Sequence, residues 1–553
     1  MRPSFPSLSL SLGLSLAIKR GFGWAGWFVW IALQLSGCSE PPERRQLTLL
    51  FTNDFESAYE PTPAFWRDDM THIGGVAELA TLIAEYRAKE ENVFLFDAGD
   101  IFTGSLAHLT KGEIAFELMR IIDYDAMSIG NHEFEFGWEE FARQKQRAAF
   151  PVLGANLTYK ENGKPYAAAS SVIERNGVRI GVIGVLGQDA ATALIPRNIE
   201  GVAVSDPVAA VRSQVEALRA EVDLVVVLTH QGPTAPMQTD DEAAPEVYRG
   251  NRENLALAAA VPGIDVVLAG HTDAGTQEAL IDPVNGTLIM QTWGQGQHLG
   301  VLQLALERSE VSADERHKVT LLSSELVPVN SDLLSADEAV LATLAHYRAQ
   351  YPELYSVVGA IDKIANRKYY QESTLGNLLA DVVRQETATE IALIPSGALR
   401  KDLPEGVLRR VDVQDMFPFE DRLAVVELSG QTLIEIIEQG LSLERGLLQV
   451  SGLAVHYDPG APVGQRLISL STGGRPVDPR QSYRLATLEI LARGGDSFVQ
   501  FLGAQKVTLG ERKFSEILFD YFATQHAGGQ PVRVPQTGRY SDKMAAQAYE
   551  KHT

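Results

Sequence analysis

Short apolar runs in the first half of this chain repeatedly end on a polar cluster, and that recurrence restricts the fold more than any other feature. LTLLF leads to Thr52, Asn53, Asp54 and Glu56, NVFLF to Asp97 and Asp100, AMSIG to Asn131 and His132, DLVVVLT to His230, and GIDVVLAG to His271 and Asp273. Such runs, with VRIGVIGV among them, read as strands buried on both faces of a sheet. Between the first two lies GGVAELATLIAEYRAKE, where Val76, Leu79, Leu82, Ile83 and Tyr86 recur at helical spacing. The alternation predicts α/β layering from residue 46 to about 326. In open α/β sheets the ligand site lies beyond the carboxyl ends of the strands, where these polar clusters fall.

A helix is expected within residues 327–356, with Ser331 and Ser335 as candidate N-caps. A second α/β region follows over 357–540, with a short tail at 541–553. In it LEILARGGDSF reads as a strand followed by a glycine pair that lets backbone approach a ligand closely. A chain of 553 residues is long for one core, which agrees with two domains.

The amino terminus differs in kind. Lys19 and Arg20 precede GFGWAGWFVWIALQLSG, a run without charge, and then comes Cys38, the one cysteine of the chain. Residues 1–37 resemble a secretory signal closed by the lipobox LSGC, with Cys38 lipidated and 38–45 a polar tether. The alternative is a transmembrane anchor, for which a run of about 17 residues is short. A lipid anchor implies an extracytoplasmic protein held to a membrane. A single cysteine forms no internal disulfide, so stability must come from the core. The formal charge of −23 disfavours a nucleic-acid polymer as partner, whereas a small phosphate is compatible with it if a metal inverts the local potential.

Any one of the polar clusters alone is an ordinary cap or turn. Together they supply what a binuclear metal centre needs: a carboxylate able to bridge two cations, with imidazole, amide and carboxylate groups completing the shells. Their order and spacing resemble the calcineurin-like metallophosphatases, and within them the two-domain 5'-nucleotidase and UDP-sugar hydrolase group, over almost all of the mature chain. That resemblance implies an N-terminal four-layer α/β/β/α domain and a C-terminal α/β domain that presents the substrate. It implies that Asp100 bridges two divalent metals, one also held by Asp54, Glu56 and Asp273, the other by Asn131, His230 and His271. It further implies that His132, oriented by Glu135, stabilises the transition state or protonates the leaving group. In the C-terminal domain Arg400 of PSGALRKD, Phe419 of FPFED and Asp496 of ARGGDSF match the family's substrate-binding positions.

Several positions depart from the family pattern. Glu56 stands where the family commonly has histidine, Glu135 where it has aspartate, and Asp273 where relatives often carry a neutral or imidazole group. The first metal position is therefore rich in oxygen donors, which favours Mg, Mn or Ca, while the imidazole-bearing position suits Zn, Fe or Mn. Glu56 acting only as a local cap is the other reading. Ile490 replaces the second stacking ring and Pro395 an asparagine. The expected activity is hydrolysis of nucleoside 5'-monophosphates or nucleotide sugars. A non-nucleotide organic phosphate, or a metal- or ligand-binding lipoprotein with little catalysis, are the alternatives.

Overall fold

The computed structural model describes residues 44–64, 67–232, 250–308 and 317–542. The signal sequence, Cys38, most of the tether and the tail from residue 543 lie outside the described residues. Among the described residues no helix is long and apolar enough to cross a membrane.

Two six-stranded sheets form the N-terminal domain. The first runs, in spatial order, His317–Pro328, His298–Arg308, Arg44–Thr52, Val93–Asp97, Ala126–Ser128 and Val152–Leu153. Its last four strands are parallel, and the two at the other edge join antiparallel. The second runs Leu280–Ile281, Leu288–Gln291, Val266–Gly270, Leu224–His230, Val178–Leu186 and Ser170–Arg175, with parallel pairing at its centre and antiparallel edges.

The period of two along these strands builds the layers. Leu47, Leu49, Phe51, Phe94 and Phe96 face Ile180, Val182, Val226, Leu228, Val266 and Leu268 in one core between the sheets. The alternate residues Leu50 and Leu95 point outward to Leu79 and Ile83 of the helix Val76–Lys89 and to Ile114 and Leu118 of the helix Glu113–Ile122. Ile183, Val185, Val225 and Val227 do the same toward the helices Pro207–Leu218 and Arg252–Ala260. The result is helix, sheet, sheet, helix. A slip of one residue would turn every side chain to the wrong layer, so the buried faces fix the register and with it the height at which each strand ends.

The C-terminal domain is built on a mixed sheet ordered Leu448–Ser451, Ile391–Pro395, Ser482–Leu488, Arg422–Ser429 and Lys506–Lys513. The helices Thr374–Thr387 and Phe514–Ala527 cover one face through Leu375, Leu378, Phe514 and Phe522. The helix Gly430–Gly440 covers the other through Leu433, Ile436 and Ile437.

Two local expectations are corrected. The helix preceding this domain is Glu338–Gln350, and its N-cap is Asp337, whose carboxylate accepts from the backbone N–H groups of Ala339 and Val340. Ser331 is instead turned to the carbonyl of Gly74, 2.7 Å away. A carboxylate reaches two of the helix's orphan N–H groups, while the serines lie too early in the chain to meet them. Val340, Leu344 and Tyr347 pack into the outer core of the N-terminal domain, so this helix belongs to that domain's packing as well as connecting the two. The strand expected through LEILA ends at Leu488, and a helical turn, Glu489–Ala492, precedes the glycines. The turn begins at Glu489. Its fully buried carboxylate receives Arg422 at 2.9 Å, Arg493 at 2.8 Å and, across from the N-terminal domain, Arg197 at 2.7 Å. Burial would raise this carboxyl, but the three guanidiniums outweigh it and hold it down at about 2.

Candidate metal centre

The expected ligand residues converge at the strand ends of the N-terminal domain. Asp54 follows Arg44–Thr52, Asp100 follows Val93–Asp97, Asn131 and His132 follow Ala126–Ser128, His230 closes Leu224–His230, and His271 and Asp273 follow Val266–Gly270. Their loops are tight. Asp54, Glu56, Asp100, His271 and Asp273 all have φ between 48° and 81°, a region that non-glycine residues seldom occupy and that proteins keep mainly where function over-determines it.

Polar groups of the scaffold hold these loops. Asp97 accepts from Thr52 Oγ1 at 2.6 Å and from the Gly99 N–H at 2.8 Å, so it braces the turn; burial pushes its carboxyl well above the usual range. Glu133, buried, accepts from the N–H groups of Asp100 at 3.0 Å, Ile101 at 2.8 Å and Gly130 at 2.6 Å. Glu133 lies inside the histidine motif and carries no sequence signal of its own for this clamp. Gly130 is needed for close approach, since a Cβ there would come within 2.2 Å of Asp100 Oδ1.

Asp54, Asp100, Asn131, His230, His271 and Asp273 are buried. Asp100 accepts from the His132 N–H at 2.7 Å through one oxygen and faces His230 Nε2 at 2.9 Å through the other. Burial alone would raise its carboxyl, but the imidazoles of His230 and His132 hold it well below the carboxylate range. His230 donates Nδ1–H to the Ala98 carbonyl at 2.8 Å, which fixes the tautomer and aims Nε2 at the centre. Around Nε2 lie three acceptor oxygens, Asp100 Oδ2 at 2.9 Å, Asn131 Oδ1 at 3.2 Å and Asp54 Oδ1 at 3.9 Å. The His271 N–H donates to both Asp54 oxygens, at 2.9 and 2.8 Å. Burial, followed by the His230 charge, pushes the His271 imidazole well below its ordinary range, so its ring is neutral and its lone pair available.

These residues fit a divalent cation. Glu56 Oε2, His271 Nε2 and Asp273 Oδ1 are buried with no hydrogen-bond partner, which is costly unless something binds them. Asp100, His230 and His271 each place a ligand atom within 4.8 Å of the others.

His132 stands at the edge of the cluster. Its Nδ1 meets Glu135 Oε1 at 2.7 Å, and its Nε2 lies 3.3 Å from Glu56 Oε1 and 3.0 Å from Arg400 Nη2. Burial would lower this imidazole, but Asp100 and the bond to Glu135 raise it to about 9. When the ring is neutral, Nδ1–H donates to Glu135 and Nε2 accepts from Arg400 Nη2–H; the ring and the guanidinium both lie beside Glu56 Oε1.

The second domain closes over this edge. Arg400, after the strand Ile391–Pro395, pairs through Nη1 with Glu56 at 2.9 Å and lies over the Phe419 ring at 5.4 Å. Phe419 is itself stacked on His132, centroids 6.0 Å apart. Ile490, Asp496 and Pro395 line the same cleft of about 100 Å³. Three lining residues without a sequence signal join them: Tyr369, Asp421 and Arg445. Arg445 reaches Asp189 of the N-terminal domain at 2.5 Å, a pairing between positions 256 apart that no local pattern records.

These charges make stability pH-dependent once metals are stripped. Burial would lower His230, but Asp100 raises it to about 10, as His132 is raised to about 9. Groups whose folded values exceed the ordinary 6.5 contribute stability that is complete below 6.5 and is lost as pH rises through the folded values. The chelated protein is therefore expected to lose on the order of 4 kcal/mol of stability between pH 7 and 8.5, about half from each histidine. Urea midpoints across that interval check this, and a flat or rising profile contradicts it.

Comparison with known proteins agrees with the geometry. Residues 47–274 match the calcineurin-like phosphoesterase family, and residues 357–503 match the 5'-nucleotidase C-terminal domain. The chain is 25% identical over 515 residues to a 5'-nucleotidase of Vibrio cholerae, covering 85% of this chain and 90% of that protein. It is 27% identical over 486 residues to endonuclease YhcR of Bacillus subtilis, covering 84% of this chain but 38% of that longer protein. Among solved structures, the 5'-nucleotidase precursor of Thermus thermophilus superposes with a TM-score of 0.77 at 26% identity, covering 90% of this chain and 99% of that one.

Proposed function

We infer, from a chain that belongs to the calcineurin-like phosphoesterases and carries a 5'-nucleotidase C-terminal domain, that this protein hydrolyses nucleoside 5'-monophosphates or nucleotide sugars outside the cytoplasm. The observation that carries the reading is the convergence of Asp54, Asp100, Asn131, His230, His271 and Asp273 on one buried point beside the His132–Glu135 pair.

Asp54, Glu56, Asp100 and Asp273 would hold one divalent ion, and Asp100, Asn131, His230 and His271 the other. Bound there, two such ions would polarise the phosphate and lower the pKa of water enough to supply hydroxide near neutral pH. The rest falls to this chain's own side chains. His132, oriented by Glu135 at 2.7 Å, donates to the leaving oxygen or stabilises charge on the phosphate. Arg400 approaches from the second domain as a partner for phosphate oxygens. Phe419 offers a ring face to a base, and Asp496 a carboxylate to a sugar.

Ile490 favours a second reading, a non-nucleotide organic phosphate. It covers a face of the cleft without the ~0.5–1.5 kcal/mol that a second aromatic ring adds. The endonuclease among the relatives raises a polymeric substrate, but the charge of −23 opposes a long polyanion. Turnover measured across nucleoside monophosphates, nucleotide sugars and simple phosphomonoesters, with Mn, Mg, Ca and Zn, separates these readings. No turnover with any metal by a folded protein would sink the enzyme reading.

The location rests on the leader. Lipid attached at Cys38 would tether the enzyme to a membrane facing an extracytoplasmic space. Labelled palmitate is expected to enter the full-length protein and to be lost in Cys38→Ser; label retained in that variant refutes the anchor.

A further inference from the structure

Glu56 is shared between the metal centre and the second domain. Its Oε1 meets Arg400 Nη1 at 2.9 Å and His132 Nε2 at 3.3 Å, while its Oε2 is buried without a partner. Both side chains of the pair are largely shielded from water, Glu56 at 7% and Arg400 at 18% exposed. The guanidinium also bears on Asp273, Asp100 and Glu135, so one cation from the C-terminal domain counters a whole group of N-terminal carboxylates.

We propose that Arg400 and the divalent ion of the Asp54, Glu56 and Asp273 position compete for one set of carboxylates, so that metal occupancy there and the Arg400–Glu56 pairing oppose each other. This rests on the two-metal reading above. A monovalent and a divalent cation sharing the Glu56 carboxylate in a buried site repel more than the guanidinium gains by orienting that carboxylate. Linkage makes the effect reciprocal: what the metal loses to Arg400, the Arg400–Glu56 pair loses to the metal. An incoming phosphate resolves the opposition, because it offers Arg400 another anion and the metal another oxygen. Arg400 is thus a positioning residue for the metal centre as well as a substrate contact. The coupling depends on the glutamate at position 56, since a neutral histidine would give Arg400 no charge to pair with.

Titration of the full-length protein with Mn²⁺ alone, followed by calorimetry, tests this without reference to turnover. The native protein is expected to bind two equivalents, the weaker at the oxygen-rich position. In Arg400→Ala the weaker equivalent should tighten about tenfold, within the ~5–150-fold range of such couplings. The stronger should move by less than about twofold. In a Glu56→Gln background the effect of Arg400→Ala should shrink, as a shared carboxylate requires. Arg400→Gln, which keeps polar bulk, serves if the alanine variant melts early. A weaker site that is unchanged or loosened in these variants overturns the competition while leaving the two-metal reading intact. A folded native protein that binds fewer than two equivalents overturns both.

Discussion

Replacing Asp100 by asparagine is expected to cost at least about 10³-fold in kcat/KM and to strip the protein of one metal or both. Asp100 alone among the cluster contacts both His132, through its backbone N–H at 2.7 Å, and His230, through Nε2 at 2.9 Å. The amide keeps the shape and can still accept from the His132 N–H, so the Gly130 and Glu133 clamp is not disturbed. What it removes is the negative charge that would hold two cations together. The loss should appear in metal analysis of the purified variant as well as in phosphate release. An asparagine variant that keeps two metals and a tenth of native activity would show that Asp100 does not bridge.

His132→Gln should separate chemistry from metal binding. The imidazole lies 3.8 Å from Asp100 Oδ2 and is bound to Glu135 at 2.7 Å, so it stands beside the ligands rather than among them. Removing a general acid typically costs ~10²–10⁴-fold, or about 3–5 kcal/mol of transition-state stabilisation. We expect kcat to fall by that factor with metal content unchanged. A variant within tenfold of native activity, or one that loses its metals, assigns His132 a different role.

The positions of the candidate metal loops are legible because strand periodicity and strand ends are written locally. An apolar run that alternates between two cores must stop where its loop begins, so NDFE, DAGD, GNHE and GHTD could be placed at one edge of the sheets before any contact was known. The histidine and carboxylate spacing then pointed to metal chemistry. Other features depend on meetings between distant segments. Glu133 binding the Asp100 loop, Arg445 reaching Asp189 and Arg197 reaching Glu489 leave no periodic trace. Asp337 outcompeting Ser331 and Ser335 as a cap depends on where the helix begins, and packing of Val340 and Leu344 against the N-terminal core decides that. Glu56 was visible as a departure from the family pattern, but its bond to Arg400 required the two domains to be brought together.

Turnover by this protein is expected to require bound metal. Purified protein, stripped by a chelator and shown to remain folded, should release no phosphate from a nucleoside 5'-monophosphate. Activity should return as Mn²⁺ is added and saturate at two equivalents per chain. Hydrolysis that survives chelation, or a folded and metal-loaded protein that releases phosphate from no phosphoester, would contradict it.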